Sequence, residues 1–247
     1  MNKTLLIHGY YVGIYIRFLE LLRLRTPFQR TVGFAIMEGQ HMGAEVDTSE
    51  PTRESNMTTD YNLYCWYPDY SQLTWKDLFE VANPLKTYLR EKKIVSKSAA
   101  QVQLYEKIQR ERITTLICHS MGAFLVFNMI NNPDLGLPGC VKTIVLVQAD
   151  IPRTLLINNP EVYSRLQKKH LHFLNYHCFW DITLCLSGII NRYKPAGLFG
   201  YQPEGSDIST LITNRFFPLN RSLNVHNSSI GDRRFYREVE RQLGIDK

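Results

Sequence analysis

The chain has 247 residues, 44% of them hydrophobic and 12% aromatic, a composition that supports one sizeable core and excludes a disordered protein. Its mean hydropathy of −0.23 excludes a protein with several membrane spans. The 29 basic side chains outnumber the 23 acidic ones, giving a net charge of +6 and a pI near 9.0. Acids and bases mix at helical spacing, which is typical of solvated helix faces, so no nucleic-acid partner is expected.

The N-terminus predicts a strand, a turn and a helix. Residues 4–8 are a short aliphatic run that Gly9 stops, and residues 12–25 repeat apolar side chains at helical spacing. The segment superficially resembles a signal peptide or an anchor. Arg17 and Glu20 interrupt it, and it has no A-x-A-like cleavage site. We expect a cytoplasmic protein, and a peripheral membrane contact stays open.

The next segments alternate between the two element types. Residues 31–60 lack a sustained period and predict an irregular insertion, whereas 61–68 predict a buried strand. Residues 74–93 have helical periodicity, which Pro84 is expected to bend or divide. Residues 98–111 predict another helix.

The rest of the chain continues this alternation. Strands are predicted at 113–119, 141–150 and 171–181, and helices at 122–133 and 160–170. Residues 187–221 are rich in Gly, Pro and aromatics and predict a second irregular insertion, either a cap segment or a loop over a cleft. Apolar strands that alternate with helices predict a single α/β domain, a mostly parallel sheet with helices on both faces.

The cysteines carry no metal or disulfide signature. Five are widely spaced in apolar segments, without a C-x-x-C pair: Cys65, Cys118, Cys140, Cys178 and Cys185. An odd number with this spacing predicts buried free thiols in a reducing compartment.

Ser120 interrupts an apolar stretch, "TTLICHSMGAFLVFNMI", where a predicted strand meets a predicted helix. A nucleophile there gains a sharp turn that exposes its hydroxyl and a helix N-terminus that favours negative charge. Such a turn needs small neighbours two residues away, a requirement that Gly122 meets and that Cys118 meets approximately. The alternative is an N-cap serine with no chemical role.

A serine nucleophile needs a base, and His226 is the preferred one of seven histidines. It lies between a strand-like run and an amphipathic terminal helix, where we expect the carboxyl end of a late strand, the edge at which open parallel sheets place their sites. A surface-loop histidine is the alternative. The other six are interpreted as scaffold, edge or loop residues: His8, His41, His119, His170, His172 and His177.

Two aspartates end apolar strands and could orient the base. Asp181 is preferred because it follows the penultimate strand, and Asp150 is the alternative, since it could instead cap the segment entered at Pro152. Backbone amides would stabilise an oxyanion. We expect one from Met121, directly after the serine, and one from Tyr10, in the turn after the first strand.

Four short motifs together resemble the α/β-hydrolase superfamily. "LLIHGYY" is similar to its oxyanion turn, "LICHSMGAFL" to its nucleophile elbow, "FWDITLCLSG" to its acid turn and "VHNSSIGDRRFYREV" to its histidine loop. Their order is the superfamily's Ser, Asp, His. Because the chain begins at the oxyanion-turn strand, the resemblance implies a reduced fold, as in small lipase-like or esterase-like bacterial hydrolases. Cys118 departs from the glycine usual at the start of the elbow.

These observations predict a serine hydrolase that cleaves a carboxylic ester or related acyl bond through an acyl-enzyme on Ser120. The chain has no G-x-x-x-x-G-K-[ST] loop for nucleotide phosphates, and the expected reaction requires neither a metal nor an organic cofactor. The competing hypothesis is a non-catalytic binding or scaffold protein. Five aromatic residues border the predicted site as candidate walls for a small acyl substrate: Tyr10, Tyr11, Trp66, Trp180 and Phe199.

Overall fold

A computed structural model describes residues 3–9, 60–64, 83–203, 211–217, 226, 233–242 and 244. Six strands form one sheet, in which every pairing of the described strands is parallel. The strands are β1 (Lys3–Ile7), β2 (Asp60–Tyr64), β3 (Thr115–His119), β4 (Thr143–Val147), β5 (His172–His177) and β6 (Ile212–Phe216). The described part of the chain therefore belongs to the α/β class.

The described helices lie between β2 and β3, between each later pair of strands, and after β6, and they flank the sheet. They are α1 (Pro84–Val95), α2 (Ser98–Glu111), α3 (Met121–Asn131), α4 (Pro160–Gln167), α5 (Ile182–Asn191), the single turn α6 (Ala196–Phe199) and α7 (Arg233–Gln242). The observed bounds of α2 coincide with the predicted ones.

The strand order, β2-β1-β3-β4-β5-β6, reverses direction once. The chain moves from β1 outward to β2, then returns to place β3 on the other side of β1, and continues outward to β6. In an open parallel sheet, such a reversal leaves a crevice outside the carboxyl ends of the two strands on either side of it, here β1 and β3. Gly9 and Ser120 follow these two strands at that edge.

The two faces of the sheet bury separate apolar clusters. Successive strand residues point to opposite faces, so Leu116 packs with the helices α1 to α4, and Ile117 packs with α7. On the α7 face, Phe235 and Tyr236 are fully buried against Tyr176 of β5. Helices on both faces of the sheet agree with the predicted architecture.

Proline begins α1 instead of bending it. Pro84 is the first residue of the helix, and the Asn83 side chain accepts hydrogen bonds from the amides of Leu85 and Lys86, each at 3.1 Å. A proline at this position sacrifices no helical hydrogen bond, because the first amides of a helix lack an intrahelical acceptor. The predicted helical residues before Asn83 lie outside the described residues.

The prediction of an irregular segment at 187–221 is wrong in part. This range contains the end of α5, the turn α6 and the edge strand β6. The prediction failed because four of the five β6 side chains are exposed, so the strand has no apolar run. The predicted helix at 12–25 lies outside the described residues, as does the 31–60 insertion apart from Asp60. None of the helices in the described ranges combines the length and apolar character needed to cross a bilayer.

Removing the aromatic contact between α7 and the sheet should destabilise the whole domain. Phe235 is fully buried, with ring centroids of Tyr176 and Tyr236 both 5.1 Å away. We expect Phe235→Ala to lower the free energy of unfolding in urea by about 3–5 kcal/mol, the usual cost of a large buried cavity. Phe216→Ala, at a half-exposed site on β6, is the control and should cost about 1 kcal/mol or less. Equal losses would contradict a core role for α7.

Candidate active site at the carboxyl edge of the sheet

Ser120 occupies a strained turn between β3 and α3. Its backbone has φ 51° and ψ −119°, a region that residues other than glycine rarely adopt and that costs about 1–3 kcal/mol. The amide of Ser120 donates to the Val147 carbonyl at 3.0 Å, and its own carbonyl accepts from the Asp150 amide at 3.1 Å. The side chain makes no capping bond to α3. Ser120 therefore occupies the N-cap position of α3 without capping the helix through its side chain.

Two glycines let the turn pack against the end of β1. A Cβ on Gly122 would lie 2.4 Å from the Ile7 carbonyl oxygen, and a Cβ on Gly9 would lie 2.8 Å from the Cβ of Ser120. Real Cβ atoms do not approach other atoms this closely, so both positions need glycine for backbone contact. The serine turn and the turn after β1 thus adjoin each other.

His226 contacts the serine hydroxyl directly. Its Nε2 lies 2.9 Å from Ser120 Oγ, and its Nδ1 lies 2.6 Å from Asp181 Oδ2. Because a carboxylate can only accept, Nδ1 carries the proton and donates it to Asp181. In the neutral ring Nε2 is then an acceptor for the Ser120 hydroxyl proton. The three residues that the sequence predicted from separate segments form one hydrogen-bonded chain.

Asp181 is fully buried at the start of α5 and receives three donors. Its Oδ2 accepts from His226 and from Gln148 Nε2 at 2.7 Å, and its Oδ1 caps α5 by accepting from the Leu184 amide at 3.1 Å. Burial alone would raise the pKa of Asp181, but the adjacent His226 and these hydrogen bonds outweigh burial and lower it. The carboxylate therefore stays ionised beside the imidazole.

Gln148 is a site residue that the sequence analysis missed. It follows β4, is buried, and holds a left-handed backbone conformation with φ 47°. A Cβ on Gly197 would lie 2.3 Å from the Gln148 carbonyl carbon, so α6 packs closely behind it. The only sequence signal was a polar residue directly after an apolar strand, in "LVQAD".

His119 holds the backbone of the base. Its Nε2 lies 2.8 Å from the His226 carbonyl oxygen, so it donates, and the two rings lie 4.8 Å apart. Burial, followed by the proximity of His226, lowers the pKa of His119 from 6.5 to about 3. His8 is similarly buried, donates from Nδ1 to the Gly9 carbonyl at 2.6 Å, and has its pKa lowered to about 4 by burial. Both imidazoles are therefore neutral, and both contact backbone carbonyls, which agrees with the predicted scaffold role.

Asp150, the alternative acid, is hydrogen-bonded to a separate set of side chains. Its carboxylate accepts from Ser187 Oγ at 2.5 Å and from the hydroxyls of Tyr193 and Tyr88, each at 2.7 Å. These partners lie on α1, on α5 and just after α5. Asp150 thus ties both helices to the end of β4, and the structure brings Asp181 alone of the two aspartates to the imidazole.

The remaining histidines and cysteines lie apart from this chain of side chains. His170 and His172 are exposed, and His177 is half-buried at the end of β5; His41 and Cys65 lie outside the described residues. The four described cysteines are thiols and not disulfides. Cys118 and Cys178 are buried as predicted, but Cys185 is exposed on α5 and contradicts the prediction. No group of three His, Cys, Asp or Glu in the described ranges could hold a metal ion.

Of the two amides predicted to stabilise an oxyanion, only that of Met121 belongs to a described residue. Met121 directly follows Ser120 and is the first residue of α3. Its amide therefore has no acceptor within the helix. Tyr10, Tyr11 and Trp66 lie outside the described residues. Of the other predicted pocket walls, Trp180 is exposed beside Asp181, and Phe199 lines a cavity of about 270 Å³ between α6 and β6.

Comparisons with protein-family models, curated proteins and solved structures found none that matches this chain.

The two buried neutral histidines should make the domain sensitive to mild acid. Their pKa values are lower in the folded than in the unfolded chain, so below pH 6.5 the unfolded state binds protons first. The free energy of unfolding should therefore be highest above pH 6.5 and fall towards pH 4. One fully titrating group contributes a slope of about 1.4 kcal/mol per pH unit.

Urea unfolding between pH 7 and 4 measures this slope. We expect His119→Gln to reduce the slope by the contribution of one titrating group, about 1.4 kcal/mol per pH unit. The glutamine amide can still donate to the His226 carbonyl. His172→Gln, at an exposed position of β5, is the control and should leave it unchanged. A slope in His119→Gln equal to that of the parent protein would contradict the burial of a neutral imidazole.

Proposed function

We propose that this protein is a serine hydrolase that cleaves a carboxylic ester or a related acyl bond. One observation carries the proposal: Ser120 Oγ lies 2.9 Å from His226 Nε2, while Nδ1 of the same ring lies 2.6 Å from a fully buried carboxylate, Asp181. A hydroxyl, an imidazole and a carboxylate in this order are the parts that activate a serine nucleophile.

In the first half-reaction, Ser120 Oγ attacks the acyl carbon while His226 Nε2 takes the hydroxyl proton. The negative charge that develops on the former carbonyl oxygen is stabilised by the Met121 amide and by the positive end of α3. His226 then gives its proton to the departing alcohol oxygen. The bond from acyl carbon to alcohol breaks, and the acyl group remains on the serine.

In the second half-reaction, water replaces the alcohol. His226 Nε2 accepts a proton from the water as it attacks the acyl carbon, and returns that proton to Ser120 Oγ as the acid leaves. Asp181 stabilises the imidazolium in both halves, and its hydrogen bond to Nδ1 keeps the ring in the tautomer that Ser120 needs. Ser120, His226 and Asp181 complete the cycle with water, and no atom changes its oxidation state.

The arrangement also supports a reduced α/β-hydrolase fold. Ser120 lies in the turn after β3, Asp181 follows β5, and His226 follows β6, so the three occur in the order Ser, Asp, His. The strained backbone of Ser120 and the glycine contact at Gly122 match the requirements of a nucleophile elbow. Cys118 stands where that elbow usually has glycine. It is fully buried, and burial raises the pKa of its thiol, which therefore remains protonated.

Covalent labelling tests the nucleophile. A fluorophosphonate should phosphonylate Ser120 with loss of fluoride, and Ser120→Ala should abolish labelling. The control Ser98→Ala, at the exposed start of α2, should be labelled like the parent. Peptide mass spectrometry locates the adduct. A folded parent protein that resists the probe at pH 8 would support the competing hypothesis of a non-catalytic scaffold.

Gln148 should act on the rate through Asp181. Gln148→Leu removes one donor from the carboxylate, which raises the pKa of Asp181 and loosens its hold on His226. With p-nitrophenyl acetate we expect kcat to fall by about ten-fold or more and KM to change little, since no substrate contact is removed. The loss of activity at low pH should begin at a higher pH than in the parent protein.

Gln101→Leu is the matched control, because Gln101 is also buried and its amide also donates, but to Ser96 in the helical layer. It should affect stability without affecting kcat or the pH profile. A Gln148→Leu enzyme with the parent's kcat and pH profile would show that the glutamine has a purely structural role.

A further inference from the structure

Helix α5 presents an apolar face to solvent. It contains no charged residue, and its side chains at the spacing i, i+4, i+7 are exposed: Ile182 (71%), Leu186 and Ile189 (74%). Trp180 precedes the helix and is 67% exposed. An outward face of this kind is unusual, since surface helices ordinarily turn charged or polar residues to water.

Helix α1 extends this apolar face. Asn191 of α5 donates to the Tyr88 hydroxyl and accepts from Lys92 Nζ, and these two hydrogen bonds hold α1 beside α5. Next to these contacts, α1 has two leucine side chains that are each about half exposed. We call the combined feature the α1–α5 surface; it comprises Leu85, Leu89, Trp180, Ile182, Leu186 and Ile189.

The exposed charges on and next to α1 and α5 have one sign. Within the described ranges 83–97 and 179–194, the exposed charged side chains are all cationic: Lys86, Arg90, Lys93, Lys97, Arg192 and Lys194. The two carboxylates in these ranges, Glu91 and Asp181, are buried. The surface therefore combines an apolar centre with a basic rim.

We propose that the α1–α5 surface docks on an anionic lipid bilayer. Isoleucine, leucine and tryptophan side chains partition into the boundary between headgroups and acyl chains, and lysine and arginine bind anionic headgroups. A second copy of the chain is a poorer fit, because two self-associating surfaces would bring their basic rims together. The proposal is independent of Ser120 chemistry, so it stands or falls separately from the hydrolase proposal.

Vesicle sedimentation tests this docking with the full-length protein. We expect binding to phosphatidylcholine vesicles that contain about 30% phosphatidylglycerol to be about ten-fold or more tighter than binding to pure phosphatidylcholine, and to weaken as salt is raised. Ser120→Ala should bind like the parent protein.

Two pairs of variants separate the apolar and charged contributions. Ile182→Ser with Ile189→Ser should reduce binding about ten-fold or more, whereas the control Leu156→Ser, at an exposed site before α4, should not. Lys86→Ala with Arg90→Ala should reduce binding to anionic vesicles more than Lys168→Ala with Lys169→Ala, which removes the same charge elsewhere on the surface. If the isoleucine double variant fails to fold, the Lys86→Ala with Arg90→Ala variant provides the test.

Three results would overturn the proposal. The first is no sedimentation with anionic vesicles. The second is equal binding by the parent and by both α1–α5 variants. The third is a parent dimer, seen by gel filtration with light scattering, that Ile182→Ser with Ile189→Ser converts to a monomer while vesicles bind neither form; this would assign the surface to a second copy.

Discussion

The carboxylate of Asp181 is buried, and the geometry of the whole site depends on how that charge is satisfied. One donor, the Leu184 amide, lies in the helix that Asp181 caps, and the other two come from distant segments: Gln148 after β4 and His226 after β6. A buried charge with a missing partner costs several kcal/mol, roughly 3–5 when one partner of a pair is removed. Folding therefore selects the arrangement in which the segments meet, and that same arrangement brings His226 to Ser120.

The architecture could be predicted because strands and helices leave local patterns in the sequence. Apolar runs defined the central strands, and helical spacing gave α2 its observed bounds. Ser120, His226 and Asp181 could be predicted because each belongs to a segment whose type and order implied the same edge of a parallel sheet. Strand β6 was missed for the opposite reason, since its exposed side chains, such as Thr213 and Arg215, leave no pattern.

The sequence did not predict contacts that depend on the direction in which a side chain points. Gln148 reaches Asp181 because its backbone turns into a left-handed conformation, which no adjacent glycine or asparagine announces. Asp150 was a reasonable alternative acid, since it also ends a strand, and only the positions of Tyr88, Ser187 and Tyr193 show that its oxygens are already occupied. The exposed Cys185 was mispredicted because an apolar segment normally implies burial.

The double attachment of α5 couples helix formation to the orientation of the imidazole. At its first turn, one oxygen of Asp181 caps the helix while the other holds His226. One and two turns later, Ser187 and Asn191 bond into the cluster around Asp150 and Tyr88. Hydrogen bonds therefore hold the helix at both ends, and we expect fraying of its far end to shift Asp181, the carboxylate that orients His226.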